Sequence, residues 1–208
     1  MRTRQRKLLY ASVVNDCQAE VQRMARVDAS ITEGVLHAAL ENEATLIVMG
    51  WRGRPTLAES IFGTVLDEVV WNATIPVMVG RMTTPIDALE RVVLVIPAGS
   101  LPGGLAGRTA DMALAVAKAT NVPLLVLAAE RYEATLHKEP ARLDADHPHS
   151  VIRLGHDVVQ DVRSNVNARH LVMVTTTGPR LRFRSSLGRI PEHLAAETPG
   201  SVVVIHYP

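Results

Sequence analysis

Glycines and hydroxyl-bearing residues between positions 50 and 64 form the part of the sequence best suited to binding chemistry. The pattern is G-x2-G-x9-G-[ST], carried by Gly50, Gly53, Gly63 and Thr64. Glycine lets a backbone approach a ligand where a Cβ would collide. Free N–H groups at a helix start, together with the helix dipole, favour an anion. The pattern therefore predicts a loop that binds a negatively charged ligand.

Side chains within the same segment fit that chemistry. Arg52 and Arg54 can neutralise phosphate charge through charge-assisted hydrogen bonds. The hydroxyl of Thr64 can add a further hydrogen bond. Trp51 can stack on a base or pack against the protein, and the sequence favours neither.

Short apolar runs must position this loop, and they predict a parallel sheet. The run Thr45–Met49 is followed by Gly50, and the next predicted helix begins at Gly63 and Thr64. Such short runs, rich in β-branched residues, are typical of strands buried on both faces. The other predicted strands are 76–80, 92–96, 123–128, 171–174 and 201–206. Strands alternating with helices predict an open α/β sheet.

Two helices have recognisable beginnings. Ser30 and Glu33 have capping-box spacing, which predicts a helix starting beside Ile31. The alanine-rich stretch Asp111–Thr120 predicts a second helix. Its upstream glycines, at 103, 104 and 107, predict a flexible entry to that helix.

An internal repeat is the strongest organisational signal. Gly63 and Gly188 lie 125 positions apart, and the same shift places Gly53 over Gly178 without a gap. It also aligns the apolar runs 46–49 and 77–79 with 171–174 and 202–204. Repeats at this spacing predict two copies of one α/β unit. We assign residues 1–82 to the first unit and 90–208 to the second, with a linker near 82–89.

The same shift predicts that the first unit is truncated at its N-terminus. The second unit begins with a strand at Arg91, a helix and a strand at Val122. Their counterparts would fall before residue 1. We therefore expect the chain to be a C-terminal part of a longer protein.

The segment Ile31–Arg81 resembles the universal stress protein family, most closely over residues 41–81. The resemblance implies an adenine nucleotide alpha hydrolase-like fold with a doubly wound, mostly parallel sheet in each unit. In the ATP-binding branch the glycine pattern contacts ribose and phosphates. This implies nucleotide binding by Gly50, Gly53, Gly63 and Thr64, with Arg52 beside them.

The second unit departs from that pattern. Thr175 stands in place of Gly50, and Arg189 in place of Thr64. Ala98 stands where the family commonly has an aspartate that holds the adenosine side. We expect the second unit to be degenerate and to bind no ATP. Its basic loop, with Arg180, Arg182 and Arg184, is better explained as a solvated surface than as an anion site.

The resemblance also bears on assembly and affinity. Family members commonly dimerise through their last strands, so Val77–Gly80 and Val202–His206 are expected to pair antiparallel within the chain, as a pseudo-dimer, or between two chains. The family's ATP pocket also uses its first strand and the loop after its second. Because both are missing from the first unit, we expect this chain alone to bind ATP weakly or not at all.

Composition excludes several classes of protein. The 208 residues carry a formal net charge of +1 and only 3% aromatics, which argues against nucleic-acid binding. Cys17 has no second cysteine to pair with, which fits a reducing compartment such as the cytoplasm. The longest uncharged stretch, 92–107, is broken by prolines and glycines and is too short to span a membrane.

These observations favour a nucleotide-binding regulatory module over an enzyme. Tandem modules of this family also occur as cytoplasmic tails of cation:proton antiporters, so attachment to a membrane transporter is expected. The alternative is a ligand-free interaction scaffold. A slow ATPase is a further alternative, but the sequence shows no candidate catalytic residue for it. A metal site at His147 and His149 is disfavoured against a polar loop, since no second ligand cluster accompanies them.

Overall fold

The computed structural model describes residues 20–51, 64–98, 104–132, 146–177 and 189–208. The described helices are α1 (Ile31–Glu41), α2 (Thr64–Asn72), α3 (Leu105–Thr120), α4 (Val158–Asn165) and α5 (Arg189–Glu197), with a short 3-10 turn at Ile86–Ala88. The described strands are β1 (Ile47–Gly50), β2 (Val77–Arg81), β3 (Arg91–Ile96), β4 (Leu124–Ala128), β5 (His149–Arg153), β6 (His170–Thr177) and β7 (Ser201–Tyr207).

All these strands join one seven-stranded sheet in the order β1-β2-β7-β6-β3-β4-β5. Every neighbouring pair is parallel except β2 and β7, which are antiparallel. The predicted α/β class with a mostly parallel sheet is thereby confirmed. The described strands do not form one sheet for each unit, because the β2–β7 pair joins the first two strands to the other five.

Helices cover both faces of the sheet, which explains the apolar runs in the sequence. In β3, Val93 and Val95 face one apolar cluster, while Val92, Leu94 and Ile96 face another. Burying one such side chain stabilises the fold by roughly 1.5–3 kcal/mol. A strand that is apolar at every position is therefore stable only between two layers of helices.

Helix α1 begins as the sequence predicts. Ser30 is its N-cap, and the Ser30 hydroxyl accepts a hydrogen bond from the amide of Glu33 at 3.1 Å. The hydroxyl of Thr32, which is buried, donates to the Glu68 carboxylate at 2.6 Å. The cap thus fixes the helix start, and this second bond ties α1 to α2.

The entry to α3 differs from the prediction. The helix starts at Leu105, six residues before Asp111, so Gly107 lies inside it and is buried. Gly104 is the N-cap with a φ of 85°, a left-handed conformation that suits glycine. Gly103 lies outside the described residues. Gly107 is therefore part of the helix and not of a flexible entry.

The elements repeat at the spacing found in the sequence. Helix α2 covers 64–72 and α5 covers 189–197, a displacement of 125 at both ends. Ile47 pairs with Val77 across β1 and β2, and the positions 125 further on, Val172 and Val202, pair across β6 and β7. The unit boundaries at 82 and 90 stay predictions.

The antiparallel β2–β7 pair is symmetric about one residue pair. Val79 pairs with Val204. Val204 is also the residue that corresponds to Val79 in the repeat, since 204 and 79 differ by 125. On either side Met78 pairs with Ile205 and Gly80 with Val203. A local twofold axis therefore passes between Val79 and Val204. The antiparallel pairing expected for these strands within the chain is present.

Side-chain contacts reinforce this junction. The Arg81 guanidinium donates to the carbonyls of Thr198 and Gly200 at 2.7 and 3.0 Å. The Ser201 hydroxyl accepts from the amides of Thr83 and Thr84 at 3.0 and 3.3 Å. Burial lowers the pKa of Arg81. The junction between the first two strands and the rest is thus held by more than its strand pairing.

Candidate functional site

The predicted binding loop connects the end of β1 to the start of α2. Gly50 is the last residue of β1 and is exposed, and Thr64 is the first residue of α2. The amide of the next residue, Trp51, still donates to the carbonyl of Gly80 at 2.7 Å. Because β1 and β2 are parallel and α2 connects them, the N-terminus of α2 lies at the carboxyl edge of the sheet, near Gly50.

The structure places only part of the predicted site. Arg52, Gly53 and Gly63 lie outside the described residues, as does the side chain of Thr64. At Gly50, an added Cβ would meet no atom within 4 Å. The space above the end of β1 is therefore open to a ligand as far as the described residues reach.

An acid at the start of α2 was missed by the sequence analysis. Asp67 lies in the first turn of α2 and is buried, and Glu192, 125 positions later, is buried in the first turn of α5. A carboxylate there stabilises the helix start through the helix dipole. It also reduces the positive potential available to a phosphate. The signal that could have found these residues was the repeat itself, which aligns the two acids.

The equivalent crevice of the second unit lies between β3 and β6, where the sheet order reverses. Such a switch point is the usual ligand position in open α/β sheets. Here the buried Thr175 hydroxyl donates to the Thr109 hydroxyl at 3.1 Å, and Thr109 donates to the Leu105 carbonyl at 2.8 Å. Ala98 follows β3 and is exposed. Two protein hydroxyls thus fill the position that Gly50 leaves open.

A separate groove lies between α4 and α5. It has a volume of about 770 Å³, and its polar lining includes His156, Asp157, Gln160, Arg163 and His193. At the matching positions of the first unit, Thr32 and Glu68 bond to each other. None of its lining residues comes from β1 or α2.

The histidines discussed as metal ligands are engaged with the backbone. Nε2 of His147 lies 2.9 Å from the Val122 carbonyl, and Nδ1 of His149 lies 2.9 Å from the His147 carbonyl. His149 begins the edge strand β5, so the polar-loop interpretation is wrong for that residue. Among the described residues no three His, Cys, Asp or Glu side chains are grouped to hold a metal.

His170 and His156 each lie at or close to the start of a secondary-structure element. His170 begins β6 and is buried, and burial lowers its pKa, with Arg91 lowering it further. His156 lies two residues before α4, whose N-cap is Asp157.

No described helix is long and apolar enough to cross a membrane.

Comparison with known proteins shows that the first part of the chain is similar to one family. Residues 3–81 match the model of the universal stress protein family. A universal stress protein from Archaeoglobus fulgidus DSM 4304 has a similar structure, with a TM-score of 0.65 over 99% of this chain and 79% of that one, at 16% identity. A functionally unknown protein from Pseudomonas aeruginosa PAO1 gives a TM-score of 0.64, covering 99% and 78%, at 14% identity.

A curated relative is a membrane transporter. The Na(+)/H(+) antiporter NhaS5 of Synechocystis sp. (strain ATCC 27184 / PCC 6803 / Kazusa) is 33% identical over 72 residues. The match covers 34% of this chain and 10% of the antiporter. The chain thus spans only a small part of the length of that relative.

The match to the universal stress protein family covers residues 3–81, which is less than half of the chain. Over 99% of its length the chain is similar in fold to a solved universal stress protein.

Proposed function

We propose that the chain is an adenine-nucleotide-binding regulatory module made of two universal-stress-protein-like units in tandem. The observation that carries the proposal is the β1–α2 connection. A family-type glycine pattern lies there between a strand end and a helix start, and no described atom would lie within 4 Å of a Cβ at Gly50. The displacement of 125 between α2 and α5 supports the tandem arrangement.

The first unit, rather than the second, is the nucleotide site in this proposal. Thr175 and Thr109 fill the second crevice with bonded hydroxyls, and Ala98 supplies no carboxylate for a ribose. The first unit keeps Gly50, Gly53, Gly63 and Thr64 for the phosphates, with Arg52 for charge. ATP or another adenine nucleotide is the ligand expected.

One pair of variants tests this assignment. In Gly50→Val the new side chain enters the space proposed for the ligand, while no described atom within 4 Å of the Cβ obstructs folding. ATP binding measured by isothermal titration, on the longest available polypeptide containing residues 1–208, should fall by at least about tenfold, equivalent to 1.4 kcal/mol.

Ala98→Val is the matched control, because it adds bulk at the corresponding edge of the second unit. Its ATP affinity should equal that of the unmodified protein. If Ala98→Val weakens binding and Gly50→Val does not, the ligand lies in the second unit and the assignment is wrong.

The regulatory target proposed is a cation:proton antiporter. The similarity to NhaS5 supports it, together with the chain's small share of that protein's length. In that setting the module is a cytoplasmic part of a membrane protein. A nucleotide would change transport only by binding the transport states with different affinities.

A ligand-free scaffold is the second candidate. The closed second crevice favours it, as does the buried Asp67 at the helix start proposed for phosphate. Protein extracted natively and denatured should release adenine nucleotide under the first proposal and none under the second.

A catalytic role is not proposed, and sustained phosphate release from ATP over many turnovers would overturn that view.

A further inference from the structure

The two ends of the antiparallel β2–β7 pair are related by the local twofold axis but carry different side chains. Val77 pairs with His206 at one end, and Arg81 pairs with Val202 at the other. We call these the histidine end and the arginine end. His206 is also the residue that corresponds to Arg81 in the repeat, 125 positions later. Each lies two positions beyond the central pair, so both side chains point to the same face of the sheet.

The backbone that leads into the two strands is equivalent as well. Just after α2, the Ala73 amide donates to the Val69 carbonyl at 2.9 Å. Just after α5, the Thr198 amide donates to the Leu194 carbonyl, also at 2.9 Å. These two bonds join residues that correspond at the displacement of 125. The helix ends before β2 and β7 therefore close in the same way, and the axis relates the surroundings of the two strand ends.

At the arginine end a side chain straps the strand to the chain before β7. Arg81 donates to the carbonyls of Thr198 and Gly200 at 2.7 and 3.0 Å, although its Nε is unpaired. The counterpart of the Thr198 carbonyl is that of Ala73, which the axis places near His206. Nδ1 of His206 is buried and has no hydrogen-bond partner in the described part of the chain. An imidazole is shorter than an arginine side chain and has fewer donors, which explains the missing strap.

A second contact of the arginine end also lacks a counterpart. The Ser201 hydroxyl accepts from the amides of Thr83 and Thr84 at 3.0 and 3.3 Å. Pro76 stands at the position that corresponds to Ser201, and it has no hydroxyl. Pro208 stands at the position that corresponds to Thr83, and it has no N–H. The same contact therefore cannot form at the histidine end.

We propose that the β2–β7 junction is a one-sided hinge, which opens from the histidine end while the arginine end stays paired. Opening at the arginine end breaks the hydrogen bonds of Arg81 and Ser201. Opening at the histidine end instead returns the unpaired Nδ1 to water and removes the cost of burying it. Local opening thus requires less free energy at the histidine end. The motion changes the angle between the first two strands and the other five.

Backbone amides report on the two ends separately. The Trp51 amide donates to the Gly80 carbonyl, so the backbone groups of Gly80 face β1. Alternate residues of a strand direct these groups to opposite sides. Arg81 and Val77 therefore direct their amides toward β7, each to its opposite residue in the pair. Both amides are protected from exchange only while their own end is closed.

Amide hydrogen exchange of the chain, followed by NMR, compares the two ends. Protection factors correct for the effect of neighbouring residues on the exchange rate. The factors of Val77 and His206 should be lower than those of Arg81 and Val202 by at least about tenfold. Equal protection at the two ends would overturn the proposal.

Two substitutions at one position test the cause. His206→Arg supplies a guanidinium that can reach the Ala73 carbonyl, so protection of the Val77 amide should rise by at least about tenfold. His206→Met is the matched control, because it has similar length and no donor, and it should give no rise. Ordinary fraying of a strand end would respond to neither variant. Unchanged protection in His206→Arg would therefore contradict the hinge.

The reciprocal substitution acts at the other end. In Arg81→His the strap is lost, and protection of the Val202 amide should fall by at least about tenfold. Full protection of Val202 in this variant would show that Arg81 does not hold the end closed. If this variant fails to fold, the His206→Arg result decides alone. None of these measurements involves a nucleotide, so their failure would leave the nucleotide proposal untouched.

Discussion

Single backbone positions decide where this fold tolerates change. Gly200 lies just before β7, and an added Cβ there would be 2.4 Å from the His170 carbonyl oxygen and 2.7 Å from that of Asn167. At Gly34 an added Cβ would make only ordinary contacts with Asp28, the nearest at 3.6 Å. Close backbone contacts thus require a glycine at position 200, whereas no such contact requires one at position 34.

Gly200→Ala should therefore be costly. Because both obstructing atoms belong to the backbone, the chain must shift, and we expect a loss of roughly 1–3 kcal/mol in the free energy of unfolding. Gly34→Ala, at the fourth residue of α1, should be neutral or stabilising by up to about 1 kcal/mol. Urea unfolding followed by circular dichroism measures both. Equal stabilities for the two variants would contradict the contacts described.

At the scale of elements, helix starts are set by local side chains. Ser30 caps α1 and Asp157 caps α4, each through a bond to the amide three residues on. These caps satisfy N–H groups that the helix itself leaves free. In both units the cap precedes a helix that packs against the next one along the chain.

Ser30→Ala should lower the free energy of unfolding by about 1 kcal/mol, since the Glu33 amide loses its acceptor. Ser164→Ala is the control, because Ser164 lies within α4 and its hydroxyl only donates back to the Gln160 carbonyl. That change should cost nothing measurable. Thermal unfolding compares them, and a larger loss for Ser164→Ala would show that the capping account is wrong.

Periodicity and repeats made much of the architecture predictable. The apolar runs located six of the seven described strands, and the shift of 125 anticipated the match between α2 and α5. The remaining strand, β5, was missed because His149–Arg153 has little apolar character. Its pairing with β4 stabilises it, and no local pattern reports that contact.

The candidate site was less predictable. The glycine spacing identified the loop, but the buried Asp67 and the Thr109–Thr175 bond depend on tertiary packing. Thr109 and Thr175 are 66 positions apart in sequence. Nothing in either local segment indicates that the two hydroxyls meet.

On the scale of the whole molecule, the described strands form one sheet around a local twofold axis. Val79 and Val204 pair across that axis, and Arg81 ties the junction to the loop before β7. With β2 and β7 paired to each other, neither is left as an open edge. Among the described strands the sheet instead ends at β1, and no described atom would lie within 4 Å of a Cβ added at Gly50.

The most direct test of the nucleotide proposal is an NMR titration of the isotopically labelled protein with ATP. The account predicts shift changes at Gly50, Trp51 and the first turn of α2, with the end of β3 and the Thr175 region unaffected. Any affinity in the chain alone should be weak, well above micromolar Kd. Shift changes centred on Ala98 and Thr175, or a sub-micromolar Kd for the chain alone, would contradict the account.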